Sequence, residues 1–353
     1  MGLRQLPPGV LSGIGAAVLF GVSAPLAKLL LGHTSPWLLA ALLYLGSGLG
    51  LWLVRRLQGA KAVHLAKGEW RWLAGASFAG GVVGPVLLMT GLVGMSASQA
   101  SLLLNAESVL TALLAWIVFK ENVDRRILLG MLAIVLGAVV LSWPLHEQLA
   151  SSSVVHAWPA LCILGACMSW AVDNNLTRKI ALNDATFVAM IKGLSAGVTN
   201  LALAWWLGAL WPGWTIVASA GLLGFLSFGA SLTLFVLALR HLGASRTGAY
   251  FSVAPFFGAV VAVALLKEPI TVQLLMAGAL MAWGVWLHLS ENHLHEHAHK
   301  AMEHSHEHVH DLHHLHHHDQ PMAPGIPHRH LHRHEPLAHS HAHFPDAHHQ
   351  HGH

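Results

Sequence analysis

Three ionisable side chains lie inside long apolar segments of this 353-residue chain, namely Glu107, Asp173 and Lys192. A charged residue at the centre of a membrane-crossing helix costs about 2.5–3.5 kcal/mol on insertion scales. Residues of this kind usually face a cavity or a partner and belong to a functional site. We therefore take these three side chains as the starting point for a solute or ion site.

Asp173 and Lys192 lie at the same depth in consecutive apolar segments. Asp173 is eight residues before the end of one segment, and Lys192 is eight residues after the start of the next. At about 1.5 Å per residue, both lie about 12 Å from the same membrane face. The spacing predicts an intramembrane ion pair. It is either a plain pair that makes both charges tolerable, or part of a cavity wall with Asn174, Asn175 and Trp170.

Glu107 lies ten residues into its apolar segment, near the middle of the bilayer, and Asn105 precedes it by two positions. No cationic partner is close to it in the sequence. A buried carboxylate of this kind is suited to taking up a proton or binding a cation during transport. The alternative is a carboxyl group that is simply protonated, or hydrogen-bonded to a neighbouring Ser or Trp.

The C-terminal segment 293–353 holds 24 of the 30 histidines of the chain. It lacks apolar periodicity, so we predict that it is disordered. Many of its imidazole nitrogens are close neighbours, which suits binding of Zn, Ni, Co or Cu. An incidental low-complexity tail is the alternative. The predicted metal ligands are His293, His295, His297, His299, His304, His306, His308, His310, His313, His314, His316, His317 and His318.

The composition excludes a soluble globular enzyme. Hydrophobic residues make up 54% of the chain and charged residues 10%, whereas a soluble domain has about 25% charged residues. The sequence contains no nucleophile elbow, phosphate loop or pair of catalytic carboxylates, so we predict no enzymatic activity and no required cofactor. It also lacks the basic and aromatic pattern of a nucleic-acid partner.

Ten apolar segments are long enough to cross a bilayer, which takes about 20 residues. The predicted fold is therefore an all-α polytopic membrane protein with a disordered, His-rich C-terminal tail. The predicted transmembrane helices cover residues 9–31, 36–54, 70–93, 97–119, 126–143, 158–181, 184–208, 214–239, 246–266 and 271–289.

The Lys and Arg residues predict the orientation of these helices. With a cytoplasmic N-terminus, thirteen of them fall on the inside, and only Lys28 and Lys267 fall on the outside. This bias predicts that both termini are cytoplasmic. The expected location is the plasma membrane or the bacterial inner membrane, with the lipid bilayer as a partner.

The chain also repeats internally. A shift of 147 residues superposes Ala97-Ser98 on Ala244-Ser245 and Lys120-Glu121 on Lys267-Glu268, and a shift of 150 superposes Phe20 on Trp170. Each copy has five helices, and because five is odd, the second copy is expected to be inverted. Small residues near Gly130 and Gly137, mirrored in the second copy, predict close helix packing. The predicted domains are 1–145, 155–290 and the tail 293–353.

Three motifs carry a family resemblance. Residues 19–28 read LFGVSAPLAK, residues 101–107 read SLLLNAE, and residues 249–255 read AYFSVAP. Over residues 9–289 the chain resembles an EamA-type transporter of the drug/metabolite transporter superfamily. The resemblance implies small-solute transport, usually export, by rocking of two five-helix halves. In one place the chain departs from the family pattern, because the first copy has Glu107 and Ser108 where the second copy keeps Pro255.

We therefore predict a secondary transporter for a metabolite, an amino acid-like compound or a drug, with export by alternating access. The alternatives are a divalent transition-metal exporter, or a metal-sensing membrane protein, each using the His-rich tail. The six histidines outside the tail fall at helix ends or loops, which argues against a metal exporter. A sensor needs one anchoring helix rather than ten. The sequence leaves a homodimer open.

Overall fold

The structure of the protein is a computed structural model. The residues that the structure describes are 8–60, 63, 65–119, 125–142, 153–180, 183–289, 295–299, 302–308, 328–334 and 337–341. The helices of the first repeat are α1 (Pro8–Gly21), α2 (Ser23–Leu31), α3 (Pro36–Leu57), α4 (Glu69–Ala76), α5 (Gly84–Gly94), α6 (Ala97–Leu103), α7 (Ala106–Phe119) and α8 (Arg125–Ser142). A π-helical segment, π1 (Ser77–Val83), joins α4 and α5.

The second repeat is also built of helices. They are α9 (Ser153–Arg178), α10 (Ala185–Trp206), α11 (Trp214–Gly224), α12 (Ser231–Phe251), α13 (Ala254–Leu266) and α14 (Val272–Leu289). A second π-helical segment, π2 (Phe225–Ala230), joins α11 and α12 into one continuous helical run.

Six helical runs in the described part of the chain are long and apolar enough to cross a membrane. Three further apolar helices are shorter. These helices make the chain a multi-pass membrane protein. The number ten stays a prediction. The six runs are Gly9–Leu31, Pro36–Leu57, Glu69–Gly94, Ala97–Val118, Ala185–Trp206 and Trp214–Leu242; the shorter helices are Leu128–Ser142, Ala254–Leu266 and Val272–Leu287.

Two irregular features recur at equivalent positions of the two repeats. A shift of 147 residues places π1 on π2 to within one residue. The same shift places the break between α6 and α7 on the break between α12 and α13. The internal repeat of the sequence therefore extends to the local backbone.

One predicted helix boundary is wrong. The apolar pattern predicts a loop at residues 240–245, between two transmembrane helices. In the structure, α12 continues to Phe251. The break follows at Ser252 and Val253, just before Pro255 in the first turn of α13. Proline lacks a backbone N–H and disfavours a helical residue before it, so it sets this boundary more strongly than the nearby arginines do.

Small residues bring helices of the two repeats into close contact. A Cβ atom on Gly284 of α14 would lie 2.6 Å from the Gly130 carbonyl oxygen of α8, and one on Gly137 would lie 3.0 Å from the Ala277 carbonyl oxygen. This confirms the predicted close packing. Because backbones in lipid associate by van der Waals contact, glycine at these positions favours assembly of the bundle.

The His-rich tail forms a separate unit, 292–345 with 349–353. Its described residues are four short strands in two antiparallel pairs, β1 (His295–His299) with β4 (Leu337–His341), and β2 (Met302–His308) with β3 (His328–His334). The prediction that the tail is disordered is not confirmed. Histidines at every second position have the period of a β-strand, and this period does not require apolar residues.

Candidate functional site

The predicted ion pair between Asp173 and Lys192 is present in the structure. The Lys192 Nζ lies 2.5 Å from Asp173 Oδ1, and both residues are buried. The Thr177 hydroxyl donates to the same Asp173 oxygen at 2.8 Å and accepts from Lys192 at 3.1 Å. Asp173 and Thr177, one helical turn apart on α9, thus form a closed network with Lys192 of α10. In this network the charges of Asp173 and Lys192 neutralise each other.

Glu107 has a different environment. It is buried in the first turn of α7, and the Asn174 side-chain amide donates to its Oε1 at 2.9 Å. The same amide lies 3.4 Å from the Thr111 hydroxyl. The sequence showed no local partner for Glu107, and the structure supplies a neutral one from α9. The amide carries no charge, and no Lys or Arg among the described residues forms an ion pair with Glu107.

The π1 segment joins the site to three other helices through its carbonyl groups. The Gly80 carbonyl accepts hydrogen bonds from the Tyr44 hydroxyl at 2.8 Å and from Trp170 Nε1 at 2.9 Å. The Gly81 carbonyl accepts one from the Asn200 side chain at 2.9 Å. A π-helical turn departs from the regular α-helical hydrogen bonds, so its carbonyls are accessible to side chains. These bonds fix Trp170 beside Asp173.

A cavity lies against these residues. Glu107 of the first repeat contributes to its wall, and so do residues of the second repeat, namely Trp170, Asp173, Asn174, Lys192, Ser227 and Ser231. Charged and polar groups therefore converge on one internal space between helices of both repeats. The remaining wall is largely aromatic, formed by Phe20, Tyr44, Phe228, Phe235 and Phe251.

A second, smaller cavity shares part of this wall. Glu107 and Asn174 line both spaces, whereas Asn105 and Pro255 line the second one only. Glu107 therefore lies on the wall that the two cavities share.

Phe20 is the centre of the aromatic part of the wall. Its ring centroid lies 5.7 Å from that of Trp170, 5.7 Å from Phe228 and 5.2 Å from Phe251. Phe20 and Trp170 occupy equivalent positions of the two repeats, so each repeat contributes the same kind of side chain to the cavity. These rings form the apolar part of the cavity wall.

One of the predicted site residues lines neither cavity. The Asn175 side chain donates to the Ala171 carbonyl at 2.9 Å and to the Thr111 carbonyl at 3.3 Å. Helix α9 turns this residue toward α7, where it joins the two helices. Its neighbour Asn174 points to Glu107 instead, because successive helix positions differ by about 100° in direction.

Sequence reasoning missed most of the aromatic wall and the hydroxyl groups. Ser227 and Ser231, spaced by one helical turn in an apolar run, were a usable signal for a cavity-facing stripe. The phenylalanines carried no such signal, because the same residues pack in any membrane bundle. The missed residues are Phe20, Tyr44, Thr111, Thr177, Ser227, Phe228, Ser231, Phe235 and Phe251.

A second ion pair lies at the start of α10, outside the cavities. Arg55 Nη1 lies 2.6 Å from Asp184 Oδ1, and the same carboxylate caps the helix by accepting from the Phe187 N–H at 2.8 Å. Partial burial alone raises the pKa of Asp184, but the hydrogen bonds from Arg55 and Phe187 outweigh it and lower the pKa below its ordinary value. This carboxylate is therefore ionised and structural.

The described residues contain no group of three or more His, Cys, Asp or Glu side chains that could hold a metal ion. The predicted tail ligands are divided. His295, His297, His299, His304, His306 and His308 lie in β1 and β2, whereas His293, His310, His313, His314, His316, His317 and His318 lie outside the described residues.

A helical membrane bundle made of two similar repeats, with a charged and aromatic cavity between them, is the architecture of a secondary transporter. The model of the EamA-like transporter family matches the chain twice, over residues 7–143 and 157–290. The chain belongs to this family. Its members are transporters of small solutes rather than enzymes.

Two relatives carry the same general description. An uncharacterized transporter of Methanothermobacter thermautotrophicus is 29% identical over 296 residues, covering 79% of this chain and 85% of the relative. The uncharacterized transporter YyaM of Bacillus subtilis is 23% identical over 294 residues, covering 77% of this chain and 90% of the relative.

A solved crystal structure shares the fold. It aligns with a TM-score of 0.63 at 18% identity, covering 80% of this chain and 98% of the other chain. At this level of identity the likeness shows the fold alone.

Proposed function

We propose that this protein exports a small solute by alternating access, with the larger cavity as the solute site. The observation that carries the proposal is Glu107, a buried carboxylate on the shared wall of two cavities, without an ion-pair partner in the described structure. A group in this position exchanges a proton or a cation between states of the carrier. Asp173 and Lys192 form the fixed side of the site.

The repeat supports alternating access. Phe20 and Trp170, which occupy equivalent positions of the two repeats, contact each other at the cavity. Residues that are related by a two-fold axis can contact each other only near that axis. A site on such an axis is equally related to both membrane faces. Inverted repeats that exchange conformations around a midplane site give alternating access.

The proposed topology has ten transmembrane helices in two inverted repeats, 1–145 and 155–290, with both termini in the cytoplasm. The support is the bias of thirteen Lys and Arg residues against two. A bacterial inner membrane or a plasma membrane fits this bias.

The His-rich tail is proposed as a separate metal-binding segment. The registers of its two strand pairs place histidines opposite histidines, for example His306 opposite His330 and His297 opposite His339. Directly opposed residues of an antiparallel pair are about 4.5–5.5 Å apart at Cβ. Pairs of imidazoles at this spacing suit Zn, Ni, Co or Cu.

The test is transport by the full-length protein in sealed vesicles. A panel of amino acids, amines, organic acids and transition-metal ions is offered in both directions, with protein containing and lacking residues 293–353. The proposal predicts movement of an organic solute by both forms, with no requirement for the tail. Movement of metal ions alone, lost with the tail, contradicts it and supports the metal exporter.

A further inference from the structure

Among the residues that the structure describes, three charged side chains line the two cavities: Glu107, Asp173 and Lys192. The Lys192 ammonium is engaged by Asp173 at 2.5 Å and by Thr177 at 3.1 Å. Glu107 is bound by the neutral amide of Asn174. With all three groups ionised, the site therefore has one negative charge in excess, and this charge lies at Glu107.

Aromatic rings line the same two cavities as this excess charge. Phe20, Phe235 and Phe251 line both cavities together with Glu107, and their centroids are 5.2 Å apart for Phe20 and Phe251 and 4.9 Å for Phe235 and Phe251. The face of an aromatic ring attracts cations, and a carboxylate beside a set of rings is a typical site for an ammonium head group. The rings also provide apolar surface for the body of a ligand.

We infer that the cavity takes small organic cations, with an amine or quaternary ammonium head group at Glu107 and an apolar body among the phenylalanine rings. This inference rests on the proposed function. Anions are disfavoured, because Glu107 repels them and the positive charge of Lys192 is already used by Asp173. The charge of a zwitterion's carboxylate meets the same repulsion.

The test compares four ligands with the same phenyl ring and different head groups: phenethylamine, 2-phenylethanol, 3-phenylpropionate and phenylalanine. Binding to the purified full-length protein is measured by calorimetry. Phenethylamine should bind about tenfold more tightly than 2-phenylethanol, as expected for one charged hydrogen bond. Glu107→Gln should remove this difference, because glutamine keeps the bond with Asn174 and loses the charge. Glu69→Gln, which changes a carboxylate outside both cavities, is the matched control.

The inference is overturned if 3-phenylpropionate or phenylalanine binds better than the amine, if no amine in the panel binds, or if Glu107→Gln keeps the preference. Vesicle transport separates this from the proposed function. Transport of phenylalanine without amine binding leaves the carrier intact and removes the cation inference. Amine binding without transport of any panel member keeps the cation site and contradicts the carrier.

A second observation lies at the end of the bundle where α13 stops. Glu268 crosses from the second repeat to the first, where its Oε1 accepts from the Ala97 N–H at 2.8 Å and its Oε2 from the Ser98 N–H at 2.9 Å. These groups open α6 and have no partner within that helix. The preceding Lys267 has φ 53°, a left-handed conformation that a non-glycine residue adopts only at a cost.

Lys28 holds the other end of the short connection between α5 and α6. Its ammonium donates to the Leu92 carbonyl and, at 2.8 Å, to the Met95 carbonyl, at the carbonyl end of α5. Lys28 and Glu268 also attract each other electrostatically. Positive charge at a helix C-terminus and negative charge at an N-terminus are both favourable. The connection from α5 to α6 is thus held from both ends by residues of other helices.

We propose that Glu268 is a latch that closes this end of the bundle and releases α6 when the carrier changes state, given the proposed transport. The two repeats differ at this point. Ala97 and Ser98 begin a helix, whereas the equivalent Ala244 and Ser245 lie inside the continuous α12. In an inverted-repeat carrier the two repeats adopt different conformations in any one state, and the repeats of this chain differ where Glu268 binds.

The test uses the full chain in vesicles with Cys162 and Cys167 replaced by Ala and a reporter thiol, Ser231→Cys, in the cavity wall. Glu268→Gln should speed maleimide labelling from the Glu268 side about tenfold, the effect of losing charged hydrogen bonds. Glu69→Gln is the control and should leave the rate unchanged. A disulfide between Ala97→Cys and Glu268→Cys should slow labelling from that side, and reduction should restore it. An unchanged rate in Glu268→Gln, or labelling unaffected by the disulfide, overturns the latch.

Discussion

Glu107 and Asp173 are both buried acids, but their neighbours differ in charge. Asp173 is within 2.8 Å of an ammonium and a hydroxyl, and the position of Gly80 leaves it no room to move. Glu107 meets one neutral amide and two open spaces. Asp173 is therefore fixed as part of an ion pair, whereas Glu107 is free to gain and lose a ligand.

The pair of Asp173 and Lys192 should behave non-additively. Removing either partner strands a buried charge, so Asp173→Ala and Lys192→Ala should each lower the free energy of unfolding by about 3–5 kcal/mol. The double variant should be less destabilised than the sum of the two. Reversible unfolding in mixed detergent micelles measures all four proteins. Simple addition of the two effects contradicts a coupled pair.

Gly80 is the glycine on which the site most depends. A Cβ atom there would lie 1.8 Å from Asp173 Oδ2, closer than any real contact. Gly80→Ala should therefore displace Asp173 and destabilise the protein by about 1–3 kcal/mol, the usual cost of overpacking.

The matched control for this variant is Gly278→Ala, since a Cβ on Gly278 would meet Leu102 at an ordinary 3.7 Å. This control should be neutral or slightly stabilising, because alanine is the better helix former. Thermal melting in detergent compares the two, and equal melting temperatures contradict the close approach of Asp173 to π1.

At the scale of elements, depth along two consecutive helices was enough to predict the ion pair. Asp173 and Lys192 needed only the helical rise and the antiparallel arrangement of neighbours. The partner of Glu107 was not predictable in this way, because Asn174 reaches it from a helix that is distant in sequence. Which phenylalanines line the cavity depends likewise on the rotation of α12 about its axis, and a uniformly apolar helix does not specify that rotation.

The π-helical segments were also beyond the sequence analysis. Residues 77–83 and 225–230 read as ordinary apolar helix, with glycines that fit many conformations. The bonds from Tyr44 and Trp170 to the Gly80 carbonyl are tertiary contacts, so the irregular turn is stabilised from outside its own segment.

The start of α10 gives a prediction for a single helix. Asp184→Ala should remove both the cap on the Phe187 N–H and the ion pair with Arg55, and lower the free energy of unfolding by about 1 kcal/mol or more. Asp184→Asn should lose less, since asparagine is an equally good cap and only the charge is removed. Detergent unfolding at neutral pH ranks the three proteins, and an equal loss in both variants contradicts the capping role.

Acid pH should reduce the stability that the charge of Asp184 contributes. Since folding lowers the pKa of Asp184 below its ordinary value of 3.8, its contribution is present above pH 3.8 and is lost as the pH falls through the lowered pKa. The stability difference between the native protein and Asp184→Asn should therefore shrink with acidification. A difference that grows below pH 4 contradicts the lowered pKa.

At the scale of the whole molecule, the tail and the bundle should be separable. The chain divides into two compact units, one made mainly of residues 1–291 and the other mainly of residues 292–353. Deletion of residues 293–353 should leave the melting temperature of the bundle unchanged and remove most binding of Zn²⁺ and Ni²⁺ measured by calorimetry. Metal binding that survives the deletion, or a bundle that no longer folds, contradicts this division.

The central claim is that the cavity of Glu107 is the transport site and that its carboxyl group couples transport to protons or cations. The most direct measurement is the pH dependence of transport by Glu107→Gln in sealed vesicles, using the solute that the vesicle panel identifies. Glutamine keeps the shape and the bond with Asn174 but has no ionisation. The account predicts that the variant folds normally and either loses transport or transports at a rate independent of pH. A variant with the native pH–rate profile contradicts it and makes Glu107 a packing residue.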